Sequence, residues 1–239
     1  MKHEDIIFLD RSQQKQYFNI NKNWIKSLAT KNPKRKEKRV MQFVEHYKNN
    51  ELFNINFKPT YILEPKLFSA EFKNTNLLHV HPIISFLDQH TRIHNYDMIN
   101  YLLKNGVDIN SFSYFERTAL MEVIDFDYFD GELIQFLIDK GSDVNICNRD
   151  NMTPLMKASL SKYGNSIAAL LLENGADINK RLVEISRATR QVYDKYTVLD
   201  FIYKKDRDLG QFIDSYVQNK IIGKNLDKLN KIPRKRKIL

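Results

Sequence analysis

An all-α solenoid of stacked helix pairs is the fold this sequence predicts, and three observations predict it. One phrase occurs three times, as YLLKNGVDIN (101–110), FLIDKGSDVN (136–145) and LLLENGADIN (170–179), and its glycines, Gly106, Gly141 and Gly175, are spaced 35 and then 34 residues apart. A second phrase precedes each copy: NLLHVHPI (76–83), TALMEVID (118–125) and TPLMKASL (153–160), with a worn fourth version in TVLDFIYK (197–204). Apolar residues in both phrases recur at helical spacing, and one helix pair of this size cannot hide its apolar faces alone, whereas stacked neighbours can.

The best-kept unit shows why each phrase folds. Thr153 is placed to cap a helix by accepting from backbone N–H groups two or three residues on. Pro154 then takes the first helical position, where its missing donor costs nothing. Leu155, Ala158 and Ser159 fall at i, i+3 and i+4, a narrow face whose small residues admit a close helical neighbour. The second helix is expected to bury Ala168, Leu171 and Leu172 and to stop at Gly175, where a left-handed backbone is wanted.

These residues resemble the ankyrin repeat, whose units open on Thr-Pro-Leu-His and close on Leu-Leu-x-x-Gly-Ala-Asp-x-Asn with a period of about 33 residues. The resemblance implies an ankyrin-repeat domain over 76–223, with three recognisable repeats and a degenerate fourth. Lacking the closing Gly-Ala-Asp phrase, the fourth reads as a C-terminal cap with LGQFIDSYVQNKII (209–222) as its second helix. Departures are specific. Leu77 and Ala119 stand where the family has proline, Met121 and Met156 where it has histidine, and His79 keeps the histidine. Counted from residue 76, the first repeat needs 30 residues to reach its glycine against 23 and 22 in the next two, so an insertion is expected around SFLDQHTRIHNY (85–96). A polar excursion is expected at 180–195, because 44 residues separate the third and fourth openings.

Residues 1–75 match the repeat poorly. QQKQYFNINKNWIKSLA (13–29) and KRVMQFVEHYK (38–48) predict amphipathic helices, the second with Phe43, Val44 and Tyr47 on one face. YKNNELFNIN (47–56) faintly echoes the closing phrase and reads as a decayed unit. The region is expected to be an N-terminal helical cap, since solenoids need polar-faced ends, and residues 224–239 a basic, disordered tail.

Composition sets outer bounds. The chain has 239 residues, 42% hydrophobic and 28% charged, enough for a substantial core. No secretory leader is expected, because the opening residues hold acids and only a four-residue apolar run. The longest apolar stretch, IAALLL (167–172), is far too short for a membrane span. The single cysteine, Cys147, forms no internal disulfide and suits a reducing compartment. Abundant Asn, Lys, Ile, Phe and Tyr fit AT-rich coding, as in many intracellular bacteria or large viruses.

The net charge of +9 is concentrated: 31–39 carries +5 and 228–237 carries +6, leaving −2 for the remainder. The runs at Lys34, Arg35 and Lys36 and at Arg234, Lys235, Arg236 and Lys237 resemble nuclear-import signals. The second, at the C-terminal end, also resembles the basic tails of some bacterial type IV secretion substrates. A solvated charged tail is the plain alternative. No aromatic platform or reading helix accompanies either run, so nucleic acid is not the expected partner.

Chemistry-bearing patterns are weak. His90 and His94 would share a helix face, yet no cysteine or acidic pair completes a zinc set, so no metal is expected. DFDYFDGE (125–132) fails the EF-hand count, since its sixth position is Asp130 and its twelfth Phe136; it reads as a lengthened loop between two helices. No phosphate loop, patterned nucleophile or distinctive carboxylate pair is present, and no cofactor or enzymatic activity is expected.

The resemblance implies a protein-binding scaffold acting through its finger turns and the concave face of its first helices. Carried over by position, the surface comprises Tyr114, Phe115 and Arg117 before the middle repeat, Arg149, Asp150 and Met152 before the next, and Asp125, Phe126, Leu160 and Ser161 on the first helices. Aromatic and arginine side chains are the usual interface anchors, although Phe126 and Phe129 equally suit the core between repeats. The expected protein is a monomer, cytoplasmic as made, with secretion into a host cell as an effector, or entry into a nucleus, depending on which reading of the basic runs holds. The competing classes are a small enzyme with its activity in residues 1–75 and a nucleic-acid-associated nuclear protein.

Overall fold

Local capping chemistry sets out the helices of this computed structural model, which describes residues 10–56, 81–87, 94–113, 116–148, 150–185 and 192–230. The chain divides into two units, residues 1–143 and 144–239. In the first, Asp10 opens helix α1 (Arg11–Leu28) with a capping box: its carboxylate accepts from the Ser12 and Gln13 amides, and the Gln13 side chain accepts from the Asp10 amide. Asn32 caps α2 (Pro33–Tyr47), with Pro33 in its first turn. Tyr17, Ile20, Trp24, Ile25 and Leu28 form the buried stripe of α1, and Val40 and Val44 that of α2. The Trp24 ring meets Phe43 and Phe53 at 5.8 and 5.5 Å between centroids, and Phe43 meets Tyr47 at 4.6 Å.

After residue 56 the next described element is a 3-10 turn, Ile84–Phe86, then α3 (Tyr96–Lys104), α4 (Ala119–Ile124) and α5 (Gly131–Asp139). The second unit holds α6 (Pro154–Ala158), α7 (Gly164–Glu173), a hairpin of β1 (Arg181–Ile185) and β2 (Val192–Thr197), α8 (Val198–Lys205) and α9 (Arg207–Asn230). Among the described residues the fold is all-α apart from this hairpin. Thr118, Thr153 and Thr197 each begin a first helix, accepting from the backbone amides of Met121, Met156 and Asp200. Leu155, Ala158, Ser159, Ala168, Leu171 and Leu172 are all buried, as the spacing predicts. Gly106, Gly141 and Gly175 have φ of +91°, +98° and +87°, the left-handed stop expected of the closing phrase.

One hydrogen-bonded module recurs through both units. Asn110 donates from Nδ2 to the Gly141 carbonyl at 3.1 Å and accepts the Asp143 amide on Oδ1 at 2.8 Å. Asn145 does the same with the Gly175 carbonyl (3.0 Å) and the Asp177 amide (2.8 Å). Asn56 repeats it with the Gly106 carbonyl (3.0 Å) and the Asp108 amide (2.8 Å). The 47–56 stretch is therefore wired as a repeat end, its Asn54 standing in for the usual aspartate and accepting the Asn56 amide at 3.0 Å, as Asp108 accepts that of Asn110 at 2.8 Å. Still earlier, Asn21 donates to the Leu52 carbonyl at 2.9 Å and accepts the Asn54 amide at 2.8 Å. The buried asparagine of α1 thus begins the series.

Three expectations need correction. The opening helical turn of the first repeat lies at 84–86, five residues later than the pattern suggests, and His81 stands where Thr118 and Thr153 stand. Its Nδ1 accepts weakly from the Ile84 amide (3.4 Å) and its carbonyl accepts the Ser85 amide (2.9 Å), as Thr118 does for Met121 and Glu122, while its Nε2 lies 2.8 Å from the Ser111 hydroxyl. His81 is 25 residues before Gly106, against 23 from Thr118 to Gly141, so the surplus expected around 85–96 shrinks to two residues; residues 88–93 lie outside the described residues. Residues 76–80, with His79, lie outside the described residues. The polar excursion holds the β1–β2 hairpin, antiparallel with an irregularity between Leu182 and Val183. Finally, α9 runs through Asn230, so the segment from 224 to 230 is helical, and residues 231–239 lie outside the described residues.

Replacing Asn110 with alanine removes both bonds of its module, and chemical denaturation is expected to show a loss of about 1–2 kcal/mol. Asn179→Ala should change stability by no more than about 0.5 kcal/mol, because its side chain makes no such pair. Gly141→Ala, with open space for the added carbon but a φ of +98°, should cost about 1–2 kcal/mol through the backbone alone. Equal losses at Asn110 and Asn179 would contradict the module.

Candidate functional site

The finger before the middle repeat is a turn closed by backbone bonds. The Ser113 amide donates to the Arg117 carbonyl at 2.8 Å, the Glu116 amide donates to the Ser113 carbonyl at 3.0 Å, and the Ser113 hydroxyl accepts the Arg117 amide at 3.3 Å. Glu116 is left-handed, with φ of 57°. Tyr114 and Phe115 lie outside the described residues. Arg117 is described, and its guanidinium bridges two carboxylates of the following helix, Asp125 at 2.9 Å and Glu122 at 3.4 Å. About 38% of its side chain remains exposed, so a partly exposed guanidinium, oriented by its two partners, stands at the base of the finger.

The second finger is built the same way around a residue that pattern reading overlooked. Asn148 uses its side-chain oxygen to accept the Asp150 and Met152 amides, at 3.0 and 2.9 Å, while its carbonyl accepts the Asn151 amide at 3.0 Å. Asn151 occupies the left-handed region at φ 58°, 35 residues after Glu116. Asparagine followed by a polar cluster is an ordinary turn signal, and the repeat alignment distracted from it. Asp150 is exposed and Met152 half-buried; Arg149 lies outside the described residues.

The first helices sort the other expected residues. Asp125 is exposed at the end of α4 and pairs with Arg117. Phe126, one residue on, is only 6% exposed; its ring stacks on His94 at 6.4 Å and meets Tyr128 at 5.6 Å. That ring is core. Leu160, by contrast, is 59% exposed beyond the end of α6, with Ser161 half-buried beside it.

The histidine and acid clusters have structural roles. Buried His94 places Nε2 3.2 Å from Oδ2 of Asp130, whose Oδ1 caps α5 by accepting the Leu133 amide at 2.9 Å. DFDYFDGE is thus the connection between α4 and α5, and both oxygens of Asp130 are occupied. Among the described residues no group of three or more His, Cys, Asp or Glu side chains could hold a metal. His90 lies outside them.

In the N-terminal region, the basic run 33–39 is built into the first turns of α2. Lys34 and Arg35 are exposed, whereas the Lys36 ammonium donates to the Ser85 carbonyl at 2.8 Å and sits 5.6 Å from the Phe86 ring centroid. Burial pushes its pKa below the usual lysine value. Lys36 therefore holds α2 to the first repeat, a role the charge pattern did not reveal. An open cleft of about 460 Å³ between α1 and α2 is lined by Lys26, Arg39, His46 and Ser27 over the rings of Phe43 and Tyr47; the Ser27 hydroxyl is bonded back to the Asn23 carbonyl at 3.0 Å. Arg234, Lys235, Arg236 and Lys237 lie outside the described residues. No helix among the described residues is long and apolar enough to cross a membrane.

Comparison with known proteins bears on these turns and helices. Residues 89–181 match the family described as ankyrin repeats in three copies. A stretch of 80 residues, 34% of this chain, is 35% identical to the ankyrin repeat and KH domain-containing protein mask-1 of Caenorhabditis elegans, and it spans 3% of that relative's length.

The different fates of Phe126 and Leu160 can be measured. Phe126→Ala should lower stability by about 3–5 kcal/mol, while Leu160→Ala should stay within about 0.5 kcal/mol of the parent, both read by denaturant unfolding. A mild effect at Phe126 would return it to the candidate surface.

Proposed function

From a chain that belongs to the ankyrin-repeat proteins, we propose a non-catalytic scaffold that binds a protein partner through its finger turns and the exposed ends of its first helices. Ankyrin-repeat domains are typically binding modules, and the observation that carries the site is Arg117. Its guanidinium is held by Asp125 and Glu122 yet keeps more than a third of its side chain in solvent. An arginine fixed before its partner arrives gives up little side-chain freedom on binding, and arginine is among the residues that dominate interface energies. Tyr114 and Phe115 precede it in sequence and add aromatic anchors, with Arg149, Asp150, Met152, Leu160 and Ser161 as the corresponding surface of the second finger and first helix. Phe126 leaves the surface, since its ring is buried.

For the setting we infer a monomeric effector, made in a bacterial or viral context and acting on a host protein. The AT-rich composition and the basic run Arg234–Lys237 support that setting.

The test is a pull-down from eukaryotic lysate with the parent chain and the combined Tyr114→Ala, Phe115→Ala, Arg117→Ala variant. A protein captured by the parent should fall about tenfold or more with the variant, the equivalent of roughly 1.4 kcal/mol, while the variant's circular dichroism and unfolding midpoint stay near those of the parent. Undiminished capture by a folded variant would remove the finger from the site.

A further inference from the structure

The series of asparagine modules has an unfilled last member. Asn179 stands in the third closing phrase where Asn110 and Asn145 stand in the first two. Its backbone is set as theirs is, the Asn179 amide donating to Asp177 at 2.8 Å just as the Asn110 amide donates to Asp108. Its side chain is exposed and has no hydrogen-bond partner among the described residues. The cause lies in the fourth repeat. Gly175 falls 22 residues after Thr153, and the same step from Thr197 arrives at Asn219. Helix α9 does not stop there but continues to Asn230. Within a helix the carbonyl and amide groups of 219–221 are bonded to residues four positions away along α9, so none is free to serve Asn179.

The straight run of α9 leaves a groove where the missing turn would lie. It has a volume of about 320 Å³ and is lined by Ala176, Ile178 and Asn179 of the third turn and by Val217, Lys220 and Ile221 of α9. Ile221 is 49% exposed, one of three large apolar side chains so exposed among the described residues. The walls are held: Tyr216 of α9 donates to Glu173 of α7 at 3.0 Å, and the Leu199 amide at the start of α8 donates to the Ile178 carbonyl at 3.0 Å. A donor–acceptor side chain on a held backbone therefore borders an apolar groove.

We propose that this groove is a docking site for a reverse turn of a protein partner, of the Gly-x-Asp kind. Asn179 donates from Nδ2 to a main-chain carbonyl of that turn and accepts, on Oδ1, the main-chain amide two residues further on. An apolar residue of the partner packs on Ile178, Val217 and Ile221, and Lys220 offers a positive charge to the turn's aspartate. The occupant follows from what equivalent side chains hold in this chain: Asn56, Asn110 and Asn145 each take a carbonyl and an amide two residues apart from a turn closing on aspartate. Such recognition reads main chain first and side chains second. The groove shares no residue with the finger surface, and Arg117 does not line it.

The experiment uses the full chain, labelled for nuclear magnetic resonance, and a synthetic peptide copying Leu170–Asn179, titrated into the millimolar range. The Asn179 side-chain amide and the Ile221 methyl signals are expected to shift together and saturate. In an Asn179→Ala chain the Ile221 response should need about tenfold more peptide, the consequence of losing two hydrogen bonds of ordinary strength. A peptide carrying Asp177→Pro, which lacks the amide that Asn179 would accept, should be weakened similarly, and Arg117→Ala should change nothing here. The proposal fails if neither signal moves, or if Asn179→Ala and the proline peptide bind as the parents do. It also fails if these signals shift on diluting the free chain, which assigns the groove to a second copy, or on removing 231–239, which assigns it to the chain's own end.

Discussion

A single side-chain amide, used repeatedly, underlies the local order of this protein. An asparagine offers one donor and one acceptor on the same planar group, so it can satisfy a carbonyl and an amide of a turn that no regular helix or strand supplies. Each closing turn has such orphaned groups, because the chain leaves its second helix at a left-handed glycine and runs on in irregular backbone. Leaving these polar groups unpaired would cost about 1–3 kcal/mol each where they are shielded from water. An asparagine from the preceding unit meets that need and at the same time fixes the spacing between neighbouring turns. The fingers and first helices inherit their positions from that spacing.

The N-terminal end shows how far the device can be stretched. Asn56 serves the first repeat although the stretch around it has lost the closing glycine and aspartate. Asn21 then serves that stretch from within an α-helix, donating at once to Tyr17 of its own helix and to the Leu52 carbonyl. A buried polar residue on an otherwise apolar helix face is costly unless fully bonded, and here it is bonded on both sides. The N-terminal helices are therefore linked to the first repeat through a run of hydrogen bonds and not through apolar contact alone. The aromatic cluster of Trp24, Phe43, Phe53 and Tyr47 adds the packing, and Trp24 Nε1 finishes on the Ile55 carbonyl at 3.0 Å.

What could be read in the sequence followed from periodicity and caps. Thr118, Thr153 and Thr197 announced their helices because a capping hydroxyl precedes an apolar run, and the three glycines announced the stops. The first repeat was opened five residues early because a histidine, His81, stands at the capping position in place of threonine and the neighbouring His79 invited the alignment. The hairpin escaped because its Val, Ile and Tyr residues are interleaved with charges over only five or six positions, a span too short to outweigh the polar impression of the whole segment. At the finger, Arg117 was legible as an exposed arginine, but its clamp by Asp125 and Glu122 depends on how α4 folds back. Phe126 was ambiguous for a related reason: neighbouring residues at a helix end point in different directions, and only the packing of His94 decides which ring turns inward. Lys36 looked like one more member of a basic run, since a charge count records no burial.

The two ends of the series differ because of how each terminates the same hydrogen-bonding pattern. At the start, a helix supplies an asparagine and nothing is left over. At the other end, a helix replaces the turn that would have answered Asn179, and helical backbone cannot answer it, because its groups are already paired. A fourth repeat with the usual Gly-Ala-Asp phrase would have filled the seat and merely passed an open asparagine to the next position. Helix α9 instead ends the series by declining the turn, which leaves both the polar pair and the apolar wall of Ile178, Val217 and Ile221 in one groove. A plain cap would favour a polar residue at position 221, as outer faces of terminal repeats generally do. That isoleucine is half in solvent beside the Asn179 amide, which has no hydrogen-bond partner among the described residues, and the pair together give the groove a defined chemistry.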